Sequence, residues 1–235
     1  RFPNTSINAD QYLLVMASDK NRTDIIAQWE TIINWGDQWH YFIGNQSPPS
    51  NWNQIGCIPV SWNSGPSGFG YGDNDDNTET GQVVSVYVRK NFEVGDPSII
   101  LKALFHIDYD DGYIAYLNGE EFARINLGTP GSTVYYNTTT TALHEAEIYS
   151  GGSPEEISID LDQFPILAGT NTLAVEVHNY SNTSSDLSCI PFQTLGYGVE
   201  IENTLEPNAV LELPDTFLHT NFKISSDGES NVLSD

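Results

Sequence analysis

The chain has 235 residues and carries 32 Asp and Glu against eight Lys and Arg, a formal net charge of −24. That balance argues against nucleic acid and anionic membrane surfaces as partners, because both need cationic neutralisation. It fits an acidic extracellular surface that resists self-association, or a protein that binds divalent cations.

Twelve Tyr, five Trp, one Met and few basic residues give the composition of a secreted protein. The length suits one large β domain, or one domain plus a fragment. No run approaches the ~18 apolar residues of a membrane-spanning helix, so no membrane insertion is expected. Arg1 is not an initiator and no signal peptide is recognisable, so the chain reads as a mature product or a fragment. Sequons at Asn4, Asn21, Asn45, Asn137, Asn179 and Asn182 mark expected surface loops. Cys57 and Cys189 allow at most one disulfide, and the sequence does not place them within bonding distance.

Taken in order, residues 1–22 hold a turn-rich lead and one strand at 12–17. Residues 23–35 fit either a short helical turn or a linking strand. An aromatic strand follows at 39–43, and Pro48-Pro49 then forces an extended segment. The stretch 62–77, WNSGPSGFGYGDNDDN, is too rich in Gly and Pro for a regular element and reads as a long structured loop. Residues 82–94 are a long β-branched strand. Residues 101–127 read as a three-stranded meander. Phe105, Ile107 and Tyr109 alternate with His106 and Asp108, Asp110-Asp111-Gly112 turns the chain, and Asn118-Gly119 is a strong hairpin signal. Residues 128–156 are a polar excursion too long for a simple hairpin loop. Further strands are expected at 156–161, 171–177 and 198–202, with a connector at 207–217 and two strands around Asp227-Gly228. Recurrent short strands without long helices are the pattern of a β-sandwich or jelly roll.

Two kinds of chemistry are candidates. The acidic run Asp73, Asp75, Asp76 and Asn77, with Glu79 close by, can supply the hard oxygen ligands that calcium takes, as a loop clamp. The alternative is a solvated acidic turn, and the spacing is not that of an EF-hand. Asp108, Asp110 and Asp111 form a second acidic cluster, in which Asp110 and Asp111 read first as turn-shaping acceptors and second as metal ligands. The aromatics Trp52, Trp62, Phe69 and Tyr71 sit in Gly- and Pro-rich loops. Flat rings beside Asp or Asn can stack on sugar C–H faces, or they can simply cover the end of the core. Tyr135, Tyr136 and His144 form a second possible rim. No G-x-S-x-G, H-E-x-x-H or C-x-x-C motif occurs, and the five histidines are scattered. His178, ending a buried strand, reads as a satisfied polar anchor and not as a base. With so many acids, the carboxylate spacing of a glycosidase selects nothing. The chain is therefore expected not to be an enzyme.

Three phrases carry a resemblance: WNSGPSGFGYGD (62–73), DYDDGYIAYLNGEEFAR (108–124) and GTNTLAVEVHN (169–179). Together they resemble a galactose-binding-like jelly-roll module of large secreted bacterial proteins. The two ends resemble something else. FPNTSINADQYLLVMASDKNR (2–22) and LHTNFKISSDGESNVLSD (218–235) are similar to consecutive parts of a lamin-tail domain, an immunoglobulin-like sandwich. The resemblance implies an all-β architecture: a jelly-roll β-sandwich with its connectors (23–217) inserted into a partial lamin-tail-like sandwich (1–22 and 218–235). Insertion at an exposed loop requires the inserted domain's termini to lie close together. It predicts that residues 12–17 and 222–225 share one small sheet, with open edges that invite another strand.

Two functions from different classes follow. The first is a non-catalytic extracellular binding or adhesion module of a larger bacterial surface protein. Glycan is then the ligand class implied by the resemblance, and calcium rigidifies the 73–79 loop. The second is a structural spacer or assembly unit without a small ligand, joined to copies or neighbouring domains through open β edges. An exposed aromatic shelf favours the first. Buried aromatics and strand-paired ends favour the second.

Overall fold

The computed structural model describes residues 15–17, 26–57, 60–72, 75–198 and 218–220. The described chain is all-β. In order the strands are β1 (Val15–Ala17), β2 (Ile26–Ile33), β3 (Gln38–Ile43), β4 (Asn63–Pro66), β5 (Phe69–Tyr71), β6 (Thr78–Glu79), β7 (Ser85–Val94), β8 (Ile100–Tyr109), β9 (Gly112–Leu117), β10 (Glu120–Ile125), β11 (Glu155–Ile159), β12 (Gly169–His178), β13 (Leu187–Gly198) and β14 (Leu218–Thr220).

Two sheets form a sandwich. One runs β10-β9-β12-β7-β3-β4, the other β11-β8-β13-β5-β6, with β2 also paired to β13. Alternate side chains explain the arrangement, since successive residues of a strand point to opposite faces. Val86, Val88, Phe92 and Val94 of β7 face inward, with Leu173, Val175 and Val177 of β12 and Tyr113, Ala115 and Leu117 of β9. Phe105, Ile107 and Tyr109 of β8 meet them from the second sheet. The β9–β10 hairpin turns at Asn118 (φ 56°) and Gly119 (φ 95°), a pairing suited to a tight primed turn. Asn118 also anchors the turn: its Oδ1 accepts from Thr172 N at 2.8 Å and its Nδ2 donates to Asn171 Oδ1 at 2.9 Å.

Some expected elements differ. Of the two options for residues 23–35, the strand is found, as β2. The Gly- and Pro-rich stretch 62–77 is not all loop, because β4 and β5 borrow their pairing from β3 and β13. Gly70 permits this, since a Cβ there would overlap the Leu187 carbonyl. The long strand β13 lies just before the expected 198–202 strand, whose remaining residues are outside the described set. Pro191 and Gly196 hide β13 from sequence patterning. The β5 ladder ends at Cys189, so Pro191 falls beyond that pairing. Cys57 and Cys189 are both free; Cys189 is in the core and Cys57 is in a surface loop.

The chain divides into two compact units. One is Trp29–Tyr197, the sandwich. The other combines Arg1–Gln28 with Gly198–Asp235. In it Val15–Ala17 pairs in parallel with Leu218–Thr220. The expected partner segment 222–225, the Asp227-Gly228 turn and the open edges of the lamin-tail-like ends lie outside the described residues.

Candidate functional site

Two places in the sandwich collect chemistry. The first is the corner between β8 and β9. Asp110 N donates to Ser188 O (3.1 Å) and Asp111 N to His178 O (3.2 Å), so the turn is pinned to both sheets. The Asp111 carboxylate joins two distant loops: Oδ1 accepts from His144 N at 2.9 Å, and Oδ2 from Tyr180 N at 2.6 Å. The His144 ring stacks on Tyr109 at 4.0 Å and 6°. Asp108 likewise accepts from Glu147 N (2.9 Å) and Ile148 N (2.8 Å). The polar excursion is thereby folded onto the corner, and Glu145 arrives beside Asp110 and Asp186.

Asp110, Glu145 and Asp186 each place a carboxylate oxygen within 4.8 Å of the other two. Asp110 is 2% exposed, Asp186 is half-buried and Glu145 is exposed. Burial, and then the charges of Asp111 and Asp186, push the Asp110 carboxyl up to about 8, with Glu145 adding to it. The charged groups acting on Asp110 are thus all acids. Tyr71 of β5 stands next to them. Its hydroxyl donates to Ser184 O (3.1 Å) and accepts from Asn179 Nδ2 (3.0 Å). Burial raises the pKa of its hydroxyl, and the charges of Asp186 and Asp110 add to this. The arrangement offers hard oxygen donors from three chain segments to a divalent cation, and a cation there would relieve the repulsion around Asp110.

The candidate calcium residues of the 73–79 loop are placed separately. Asp73 lies outside the described residues. Asp75 is 6% exposed; its Oδ1 is 3.4 Å from Ser188 Oγ and its Oδ2 is buried without a hydrogen-bond partner. Burial, and then Asp108, raise its carboxyl. Both carboxylate oxygens of Asp76 are buried. Asn77 Nδ2 donates to Ser67 O at 2.6 Å, and Glu79 is exposed on β6. Glu145 and Asp186 were not among the sequence candidates, because neither stands in a local motif with Asp110.

The second place is the outer face of the first sheet. Trp52 and Trp62 stack on each other at 5.9 Å and 25°, and Trp52 packs edge-on against Tyr87 and Tyr116. Phe42 supports Trp62, and Tyr136 packs against the same cluster. Both tryptophans are buried, at 7% and 9% exposure. Arg89 of β7 and Glu176 and His178 of β12 stand on the same sheet face as Tyr87 and Ala174, at alternate strand positions. Tyr116 Oη donates to Glu176 Oε1 (2.6 Å), and His178 bridges Glu176 Oε2 (3.2 Å) and Thr138 O (2.8 Å). The aromatic candidates therefore divide. Trp52, Trp62 and Tyr136 meet on this face, Tyr71 belongs to the acidic corner, and Tyr135 is 62% exposed.

No family model and no curated protein matches the chain. Among solved structures it is similar to an uncultured Clostridium sp. β-glucuronidase, at 14% identity and a TM-score of 0.45, over 80% of this chain and 31% of that one. It is also similar to Bacteroides uniformis β-glucuronidase 2 covalently bound to cyclophellitol-6-carboxylate aziridine (14% identity, TM-score 0.43, 72% of this chain and 18% of that one). A calcium-binding mutant of the same enzyme matches at 14% identity and a TM-score of 0.42, with the same coverage. The chain spans 18 to 31% of the length of these proteins. Among the described residues, no helix is long and apolar enough to cross a membrane.

Proposed function

We propose that this chain is a non-catalytic binding module of a larger extracellular or cell-surface bacterial protein, stiffened by a calcium ion and directed at glycans. The observation that carries the calcium assignment is the convergence of Asp110, Glu145 and Asp186, one of them almost wholly buried. Calcium takes six to eight oxygens in flexible geometry, so three carboxylates converging from separate chain segments suit it better than a smaller, strictly octahedral ion. Its role is to hold the β8–β9 corner, the polar excursion and the start of β13 together. The 73–79 loop is the alternative calcium position. The glycan assignment rests on the aromatic face around Trp52 and Trp62 with polar groups beneath it.

The test is thermal unfolding of chelator-treated protein, with calcium and then with a panel of soluble polysaccharides. A ligand that binds only the native state raises the midpoint. Calcium is expected to raise it, and one polysaccharide to raise it further.

A second reading has its own observation. Trp52 and Trp62 are stacked under cover instead of forming an open shelf. A spacer or assembly unit, joined to copies or neighbours through β edges, needs only that packing. A calcium response with no response to any polysaccharide would favour it.

A further inference from the structure

We infer that residues 44–57 are a strap that closes a saccharide-binding face on the outer side of the first sheet, with Arg89 as the catch. This rests on the glycan reading above.

The strap follows β3, a strand flanked by β7 and β4, leaves the sheet after Gly44 and folds back over the face, although β3 and β4 are adjacent antiparallel strands that a tight turn could join. Its backbone bonds are local: Trp52 N to Pro49 O (3.0 Å), Gln54 N to Asn51 O (3.1 Å) and Cys57 N to Gln54 O (3.4 Å). Among the described residues, the hydrogen bonds from the sheet to residues 46–57 come from Arg89. Its Nη1 donates to Cys57 O, and its Nη2 to Gln54 O at 3.1 Å. Nη2 is also held from the sheet side by Asn91 Oδ1 (3.2 Å) and Thr172 Oγ1 (3.3 Å). One side chain therefore supplies these hydrogen bonds, while Trp52 packs the strap against Trp62, Tyr87 and Tyr116.

The closed state leaves needs unmet. Arg89 is 2% exposed, yet all of these acceptors are neutral, and its Nε has no partner. Trp62 Nε1, on the same face, is also buried without one. Buried donors are ordinarily satisfied, and an uncompensated buried cation is costly. Lifting the strap would release the Arg89 donors that now reach Cys57 O and Gln54 O, leave Nε and the indole N–H available, and carry Trp52 off the rings of Trp62, Tyr87 and Tyr116, against which it packs. Flat rings beside unpaired donors suit a ligand with apolar ring faces and many acceptor oxygens, which is the chemistry of a pyranose chain.

The experiment uses the full chain with a reversible lock. A Cβ on Gly119 would lie 3.7 Å from Gln54 Cβ, within disulfide range. Gln54→Cys with Gly119→Cys, in a Cys57→Ser background, ties the strap to the β9–β10 turn. The positive φ of Gly119 strains this variant, so its reduced form is the control. Binding of a neutral galactomannan and of polygalacturonate is measured by calorimetry. The expected result is binding in the reduced form and its loss in the oxidised form. Arg89→Gln, which unfastens the strap but also removes guanidinium donors from the face, is expected to make residues 44–57 about tenfold more susceptible to limited proteolysis than in wild type, because the open state becomes more populated. Equal binding by oxidised and reduced forms would overturn the strap while leaving the glycan reading intact. No binding by any form, Arg89→Gln included, would overturn both. If Arg89→Gln fails to fold, the lock alone decides.

Discussion

Asp110 and Asp186 bring carboxylate oxygens within 4.8 Å of each other from the ends of two neighbouring strands, β8 and β13. Adjacent strand ends commonly place side chains in contact. Two acids meeting there, with a third arriving on a loop, is an electrostatic cost that the apo domain carries.

That cost has a pH signature. In chelator, the folded Asp110 carboxyl sits at about 8, above the ~3.9 of an unfolded aspartate. The folded state therefore binds more protons across that window. The stabilising contribution is full below pH ~4 and is lost as pH rises through about 8. The melting temperature of chelated protein is expected to fall between pH 5 and pH 9, and Asp110→Asn is expected to flatten this decline. Equal slopes in wild type and variant would contradict it.

Asp111 does a different job beside it. Its carboxylate accepts from His144 N and Tyr180 N, so Asp111→Ala strands two backbone donors. Urea unfolding is expected to show a loss of roughly 1–3 kcal/mol per buried donor, less where water reaches it. Asp111→Asn retains one acceptor and should lose less. A variant within about 0.5 kcal/mol of wild type, the range of ordinary surface substitutions, would rule out the clamp.

Close strand approach makes another expectation. A Cβ on Gly70 would overlap the Leu187 carbonyl, whereas one on Gly95 meets nothing within 4 Å. Gly70→Ala should open the β5–β13 ladder and lower the melting temperature sharply. Gly95→Ala should change stability by less than about 0.5 kcal/mol. Matching melting temperatures for the two variants would contradict this packing.

The sandwich was largely readable before folding, and the reasons are local. The meander announces itself by the alternation of Phe105, Ile107 and Tyr109 and by Asn118-Gly119, whose positive φ angles the hairpin uses. β13 was not readable, because Pro191 and Gly196 break its pattern and its place between neighbours is a tertiary matter. The site was half readable. Asp110 stands in a visible acidic cluster, but Glu145 reaches it through the Asp108 and Asp111 clamps and Asp186 through the β8–β13 pairing. Arg89 was hidden for another reason. A charged residue at an alternating strand position signals a solvated face, and here residues 44–57 cover that face.

The most direct test is calcium titration calorimetry on chelator-stripped protein, with Asp110→Asn, Glu145→Gln and Asp75→Ala alongside wild type. A single calcium site is expected in wild type and in Asp75→Ala, lost in Asp110→Asn and weakened in Glu145→Gln. No heat in wild type, or binding that survives Asp110→Asn but vanishes in Asp75→Ala, would contradict a metal centre at the β8–β9 corner.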